Sequence, residues 1–186
     1  MDPKILTAIL IVIVAIVVVI GAILVTRRRK TEHLKQKFGS EYDRMVRQHG
    51  DPLRAESVLA ERGKRVAHLP LRTLPAPERE RYAQQWAGVQ RQFVDDPRGA
   101  VNQADRLVTE VMNARGYPMS EFNQRADDIS VNYPNAVGNY RIAHDIVVRH
   151  GRGESSTEDL RKAMVHFRSL FDELLGQPGL AHKEVA

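Results

Sequence analysis

The stretch ILTAILIVIVAIVVVIGAILVTRRRK, residues 5–30, determines how the whole chain is organised. Residues 5–25 contain no charged side chain, and as a helix they would be about 32 Å long. The hydrocarbon core of a bilayer is about 30 Å thick. Valine and isoleucine also favour strands, but an open strand in lipid would leave backbone groups without hydrogen bonds. The run therefore predicts a transmembrane helix at residues 5–25, after a short tail of residues 1–4.

A cleaved signal peptide is the competing interpretation of this run. Such peptides have a basic start, an apolar stretch of about 7–15 residues and a cleavage site of small residues. Here the apolar run is longer, only Lys4 precedes it, and no such cleavage site follows it. The chain has no cysteine, which also excludes a thioether or palmitoyl anchor. These features favour an uncleaved span.

Four consecutive cations follow the apolar run: Arg27, Arg28, Arg29 and Lys30. Basic residues that flank a span stay on the cytoplasmic side of the membrane, and Lys4 is the only base on the other flank. The sequence therefore predicts a single-pass protein of the inner (plasma) membrane. Its N-terminus would face outward and its soluble domain would lie in the cytoplasm.

The same four cations are the predicted membrane-interface residues, within a basic juxtamembrane segment of residues 26–37. Among anionic headgroups each would contribute about 1 kcal/mol. The alternative is that they only stop transfer and recognise no particular lipid. Outside residues 1–30 the chain has 23 basic and 22 acidic residues. This balance argues against nucleic acid as a partner, because nucleic-acid binding requires basic residues concentrated on one face.

Residues 38–175 are long enough for one domain with a real core, and residues 176–186 are typical of a flexible tail. Apolar residues recur at helical spacing, and alternating runs typical of strands are short. The predicted fold class is all-α: an N-terminal transmembrane helix followed by a helical-bundle-like soluble domain of about six or seven helices. The predicted apolar stripes are Leu34/Phe38/Tyr42/Met45, Ala55/Leu59/Gly63/Val66, Tyr82/Trp86/Val89/Phe93, Val101/Ala104/Val108/Val111, Phe122/Ala126/Ile129, Val137/Tyr140/Ala143/Val147 and Leu160/Met164/Phe167/Phe171/Leu174.

Local signals predict where several of these helices begin. Asp51-Pro52 and Asp96-Pro97 are typical of an N-cap followed by the first helical residue. Pro134 is expected to open another helix. Ser155 and Glu158 have the spacing of a capping box. Gly39 is expected to kink the first helix of the domain.

The sequence contains no phosphate-binding glycine motif, no H-E-x-x-H and no G-x-S-x-G. None of its seven histidines lies three or four residues from another, the spacing that a helical metal site requires. No catalytic residue, cofactor or metal ligand is therefore predicted. An enzyme site would need polar residues that meet only in the folded chain, and the residues considered for it are Asp105, Arg115, Asp127, Asp128, Arg141 and His144.

For some of these candidates, and for two aromatic residues, we favour a structural interpretation. His144 lies beside an apolar stripe, as a core histidine does. Asp127 and Asp128 are adjacent on a helix, so their side chains should point in different directions. Tyr82 and Trp86 fit a helical core stripe better than a platform for stacking nucleic-acid bases.

Three stretches resemble, taken together, a group of bacterial proteins of unassigned function that often carry one predicted N-terminal membrane span. They are FGSEYDRMVRQHGDPLRAESVLAERGKRVAHLPLR, RYAQQWAGVQRQFVDDPRGAVNQADRLVTEVMNARGYP and STEDLRKAMVHFRSLFDELL. The resemblance implies no activity or site. From the residues we expect a protein-interaction or scaffolding module. Ala8, Ala15 and Ala22 recur every seven residues, a spacing that also allows a homodimer through the span.

Overall fold

The computed structural model describes the backbone of residues 3–176 and the side chains of residues 15–176. It contains eight helices: α1 (Pro3–Phe38), α2 (Ser40–His49), α3 (Pro52–Ala67), α4 (Ala76–Gln92), α5 (Pro97–Ala114), α6 (Phe122–Asn132), α7 (Val137–Gly151) and α8 (Thr157–Gly176). Residues 3–176 include no strand, so the predicted all-α class is confirmed.

Helix α1 continues without a break from the apolar run into the domain. Its large apolar side chains from Ile16 to Val25 are 48–64% exposed, so the domain does not cover them. Where side chains are described, no helix is both long enough and apolar enough to cross a membrane. Residues 5–14 of the predicted span, and Ala8 with them, lie outside the described side chains. The transmembrane helix at residues 5–25 therefore stays a prediction.

The first helix of the domain is divided at Gly39, where we expected a kink. The backbone of Gly39 has a φ of 49°, which ends α1 at Phe38 and allows α2 to begin at Ser40. Tyr42 and Met45 are buried with Phe38 even so. The stripe is therefore continuous in the core although two helices carry it.

Two predicted helix starts are confirmed by their cap hydrogen bonds. The carboxylate of Asp51 accepts from the N–H of Leu53 at 3.0 Å, and that of Asp96 accepts from the N–H of Gly99 at 2.8 Å. Each carboxylate accepts a hydrogen bond from one of the N–H groups that have no partner within the first turn of a helix.

Two other predicted starts are wrong by one to three residues. Ser156 rather than Ser155 caps α8: its hydroxyl accepts from the N–H of Asp159, whose carboxylate accepts from the N–H of Ser156 at 2.9 Å. Ser155 instead pairs with His150 at 2.9 Å. Pro134 lies in a turn, and α7 begins at Val137. In SSTED two adjacent serines both have an acid three residues later, so spacing alone does not choose between them.

The predicted stripes line a single core. Trp86 on α4 stacks on Phe171 on α8, with ring centroids 4.6 Å apart, which confirms the core interpretation of Trp86. The core also holds Leu74, from the connector of residues 68–75 between α3 and α4. This connector lies against Gly116, where a Cβ would collide with the carbonyl of Pro70. Within this core, several charged side chains are also buried.

Candidate functional site

The predicted membrane-interface residues Arg27, Arg28, Arg29 and Lys30 are all exposed on α1. They lie between the exposed apolar segment and Leu34, the first residue of α1 that is buried in the core. Eight residues separate Val25 from Leu34, all of them helical. The basic residues are therefore held close to the domain by a continuous helix, not by a flexible linker.

Five charged side chains from four helices meet inside the domain, and we call them the Glu41 cluster: Glu41 and Arg44 on α2, Arg62 on α3, Asp127 on α6 and Arg141 on α7. Only Arg62 and Glu41 are nearly inaccessible, with 7% and 2% of their side-chain surface exposed. With two carboxylates and three guanidinium groups, the cluster carries a net charge of +1.

Glu41 is the centre of the cluster because all three arginines donate to it. Arg62 donates to Oε1 at 2.9 Å, and Arg141 donates to Oε2 at 2.8 Å and to Oε1 at 3.1 Å. Arg44 donates from Nε at 2.9 Å and from Nη2 at 2.8 Å. Asp127 completes the cluster at 2.7 Å from Arg62 and 3.0 Å from Arg141.

The pKa of Glu41 shows which effect dominates. Burial by itself raises this pKa. The hydrogen bonds from Arg44 and the positive charges of Arg141 and Arg62 together lower it by more, so the pKa lies below its ordinary value. Glu41 is therefore ionised at neutral pH, and both its oxygens are occupied. It is poorly suited to accept a proton from a ligand, and its arrangement indicates a structural role.

The six residues considered for an enzyme site are divided among four places. Asp127 and Arg141 belong to the Glu41 cluster. Asp128 points elsewhere, as predicted, and accepts from Arg65 at 2.6 Å. Arg115 is 3% exposed at the end of α5, where it donates to the carbonyl of Leu174.

Asp105 on α5 and His144 on α7 form the fourth place. His144 lines a cavity of about 330 Å³, and Asp105 is not among the lining residues. The ring of His144 stacks on Phe122 with centroids 3.5 Å apart, and Arg141 and Asp145 also line the cavity. Within the described residues, neither Oδ1 of Asp105 nor Nδ1 of His144 has a hydrogen-bond partner, although both atoms are buried. Buried polar atoms of this kind are uncommon in folded proteins and need an explanation.

Burial shifts the two ionisable groups of this pair in opposite directions. Burial raises the pKa of Asp105, although the positive charges of His144 and Arg125 oppose the shift. Burial lowers the pKa of His144, and the charge of Asp105 opposes that shift. Both shifts favour the neutral forms of the two groups. A neutral imidazole beside a carboxyl group can exchange a proton with a bound molecule, provided that the molecule reaches it.

Sequence reasoning missed three of the five members of the Glu41 cluster. The inner face of α3 was predicted to include Gly63, but Gly63 is only partly buried, and Arg62 is the buried residue between Leu59 and Val66. Residues 62 and 63 both fit the helical spacing of this face, and glycine is buried in protein cores far more often than arginine. The signal that could have identified Glu41 is its spacing of three residues from Arg44, which is typical of an ion pair.

No group of three or more potential ligands, taken over the residues that the structure describes, is arranged to hold a metal ion. Protein-family models, curated protein sequences and solved structures were all compared with the chain, and none matches it.

Replacing Glu41 with glutamine should strongly destabilise the protein, because it leaves three buried or half-buried arginines to share Asp127. Loss of one partner from a buried ion pair costs about 3–5 kcal/mol, measured as the free energy of unfolding at neutral pH. Because the folded state lowers the pKa of Glu41, its contribution is complete above the ordinary value of 4.5 and disappears as the pH falls through the folded-state pKa. The difference in unfolding free energy between Glu41→Gln and the parent protein should therefore become smaller in acid.

The control for this experiment is Glu158→Gln. Glu158 pairs with Arg161 on the exposed surface of α8, at 2.7 Å. Exposed pairs of this kind contribute little, so this variant should unfold like the parent. Equal effects of the two substitutions would contradict the central role of Glu41.

Replacing Asp105 with asparagine should stabilise the protein at neutral pH. The folded state raises the pKa of Asp105, so it binds this proton more tightly than the unfolded state does, and stability falls as the pH rises above the ordinary value of 3.8. Asparagine has nearly the same shape but does not ionise, so it does not lose stability as the pH rises. Thermal unfolding should show a higher Tm near pH 7 and a smaller difference near pH 4.

Asp145→Asn is the control, because Asp145 lines the cavity beside His144 but is exposed and pairs with Arg149 at 3.0 Å. Its Tm should change little at either pH. A lower Tm for Asp105→Asn near pH 7 would mean that the ionised carboxylate stabilises the fold, contrary to this reasoning.

Proposed function

We propose that this protein is a membrane-anchored helical domain that binds a protein partner at the cytoplasmic face of the inner (plasma) membrane. The observation that carries the proposal is the course of α1. Its apolar side chains from Ile16 to Val25 lie outside the domain, and the same helix enters the core at Leu34 and Phe38. An exposed apolar helix of this kind is stable when a non-aqueous environment covers it.

The proposed orientation rests on the basic residues of α1. Arg27 to Lys30 are exposed at the junction between the apolar segment and the domain, where they can reach lipid headgroups. Because such residues remain in the cytoplasm, the domain that follows them would lie there too.

The proposed partner surface is the outer face of α7 and α8. Asn139 on α7 joins these helices by donating to Ser169 of α8 at 2.9 Å. One turn from this contact, α7 exposes Ile142 and α8 exposes Val165, with 48% and 57% of their surfaces accessible. Apolar side chains on adjoining helices favour a protein partner, and a second copy of this chain is one candidate.

A charge placed on this face should prevent partner binding. We expect Ile142→Lys/Val165→Lys to lose a protein that the parent retains after affinity purification from detergent-solubilised membranes. Val94→Lys is the control, because Val94 is 81% exposed in the turn between α4 and α5. A differently tagged second copy in the same cells identifies self-association. If the parent retains no partner reproducibly, or if all variants retain the same one, the interaction proposal is wrong.

The orientation can be tested separately because the chain has no cysteine. Asp2→Cys should react with a membrane-impermeant maleimide in intact spheroplasts. Arg152→Cys, in the exposed turn between α7 and α8, should react only after the membrane is permeabilised. The reverse pattern would place the domain outside the cytoplasm.

An enzyme is the second candidate, and the cavity beside His144 is the observation that favours it. Active sites often keep groups that would be more stable if replaced, so activity and stability oppose each other there. A gain in stability for Asp105→Asn would agree with such a site. A loss would indicate that Asp105 serves the fold, which would leave the cavity without its proton-exchanging pair.

A further inference from the structure

The contacts between α1 and α3 define which end of the domain is nearer to the apolar run. The hydroxyl of Thr31 on α1 donates to the carboxylate of Glu56 on α3 at 2.8 Å. Six residues further along α1, the ammonium group of Lys37 lies 3.7 Å from the position of a Cβ on Gly63. From the first contact to the second, the position advances by six residues on α1 and by seven residues on α3. The two helices therefore run in the same direction, and the N-terminus of α3 lies toward the apolar run.

The parallel direction of α1 and α3 fixes how far the turn between α2 and α3 lies from the apolar run along the helix axis. Leu53 precedes Glu56 by three residues, which is about 4–5 Å along the helix axis. Since Glu56 is level with Thr31, Leu53 is level with Arg28 on α1. Helical side chains also lean toward the N-terminus of their own helix. The side chain of Leu53 therefore leans toward the apolar run.

The side chains at this turn suit the boundary between headgroups and hydrocarbon. Leu53 is 63% exposed although it is large and apolar. Arg54 beside it and Arg47 in the last turn of α2 are exposed cations. The one acid in the turn, Asp51, is engaged by the N–H of Leu53 as the cap of α3. An apolar side chain with flanking cations is typical of segments that lie in the interface of an anionic membrane.

We propose that the turn between α2 and α3 is a second membrane contact, in which Leu53 enters the headgroup boundary and Arg47 and Arg54 bind anionic headgroups. This inference rests on the proposed membrane anchor. Because residues 26–33 are helical, Leu34 lies only about 14 Å along the axis from Val25. The domain is thus held at the bilayer surface with this turn facing the lipid, and its orientation is fixed at two points instead of one.

The test uses single cysteines in the full-length chain, which has none of its own. The Leu53→Cys protein carries an environment-sensitive fluorophore and is reconstituted in phosphatidylcholine vesicles that contain phosphatidylglycerol. Its emission should shift to the blue, and lipids with a nitroxide near the headgroup should quench it. In vesicles of phosphatidylcholine alone both effects should be smaller, because the two arginines lose their anionic partners.

Lys64→Cys is the matched control. Lys64 is exposed on the same helix, eleven residues after Leu53, so it lies on nearly the same face but about 16 Å further from the membrane. Its label should emit as in water and escape quenching. Equal signals from the labels at residues 53 and 64 would overturn the second contact.

A label on Ile20→Cys separates failure of this inference from failure of the proposed anchor. If the label at residue 20 is buried in lipid while the label at residue 53 behaves like that at residue 64, the anchor stands and only the second contact is wrong. If the label at residue 20 is accessible to water, the anchor itself is wrong, and the second contact fails with it.

Discussion

The carboxylate of Glu41 is the group on which the relative positions of four helices depend. Three guanidinium groups from α2, α3 and α7 donate five hydrogen bonds to it. Asp127 on α6 lies 2.7–3.8 Å from the same three groups. A buried carboxylate is costly unless it is paired and hydrogen-bonded in full. Apolar contacts have no preferred direction, whereas the hydrogen bonds at Glu41 do. They therefore fix how the first helices meet α6 and α7.

The same arrangement connects the apolar run to the rest of the domain. Helix α1 holds Leu34 and Phe38 in the core, and Thr31 reaches Glu56 on α3. The next polar layer along α3 is Arg62 in the Glu41 cluster. Packed side chains and charged hydrogen bonds thus connect the end of α1 with α6 and α7. These are the helices that border the cavity beside His144.

Two sets of buried ionisable groups in this domain differ in their hydrogen bonding. The Glu41 cluster is satisfied, and its charges are retained because each has partners. Asp105 and His144 are buried with unsatisfied atoms, and burial drives both toward their neutral forms. Satisfied clusters stabilise one arrangement of a core, whereas unsatisfied ionisable pairs beside a cavity are where ligand chemistry is expected. The proposed interaction rests on the exposed faces, whereas the enzyme alternative rests on this pair.

The sequence by itself determined the helical class, most of the core stripes and the caps at Asp51 and Asp96, because helical periodicity and capping depend on residues within a few positions of one another. It also predicted the basic membrane-interface residues, because four consecutive cations follow an apolar run. Spacing left open whether Gly39 bends or divides a helix and which of two serines caps α8. Only the tertiary structure decided that Glu41, Arg62 and Arg141 meet. A single chain position cannot tell a charged residue on a solvent face from one whose partners lie 21 and 100 residues away. Those partners are brought together by the packing of whole helices.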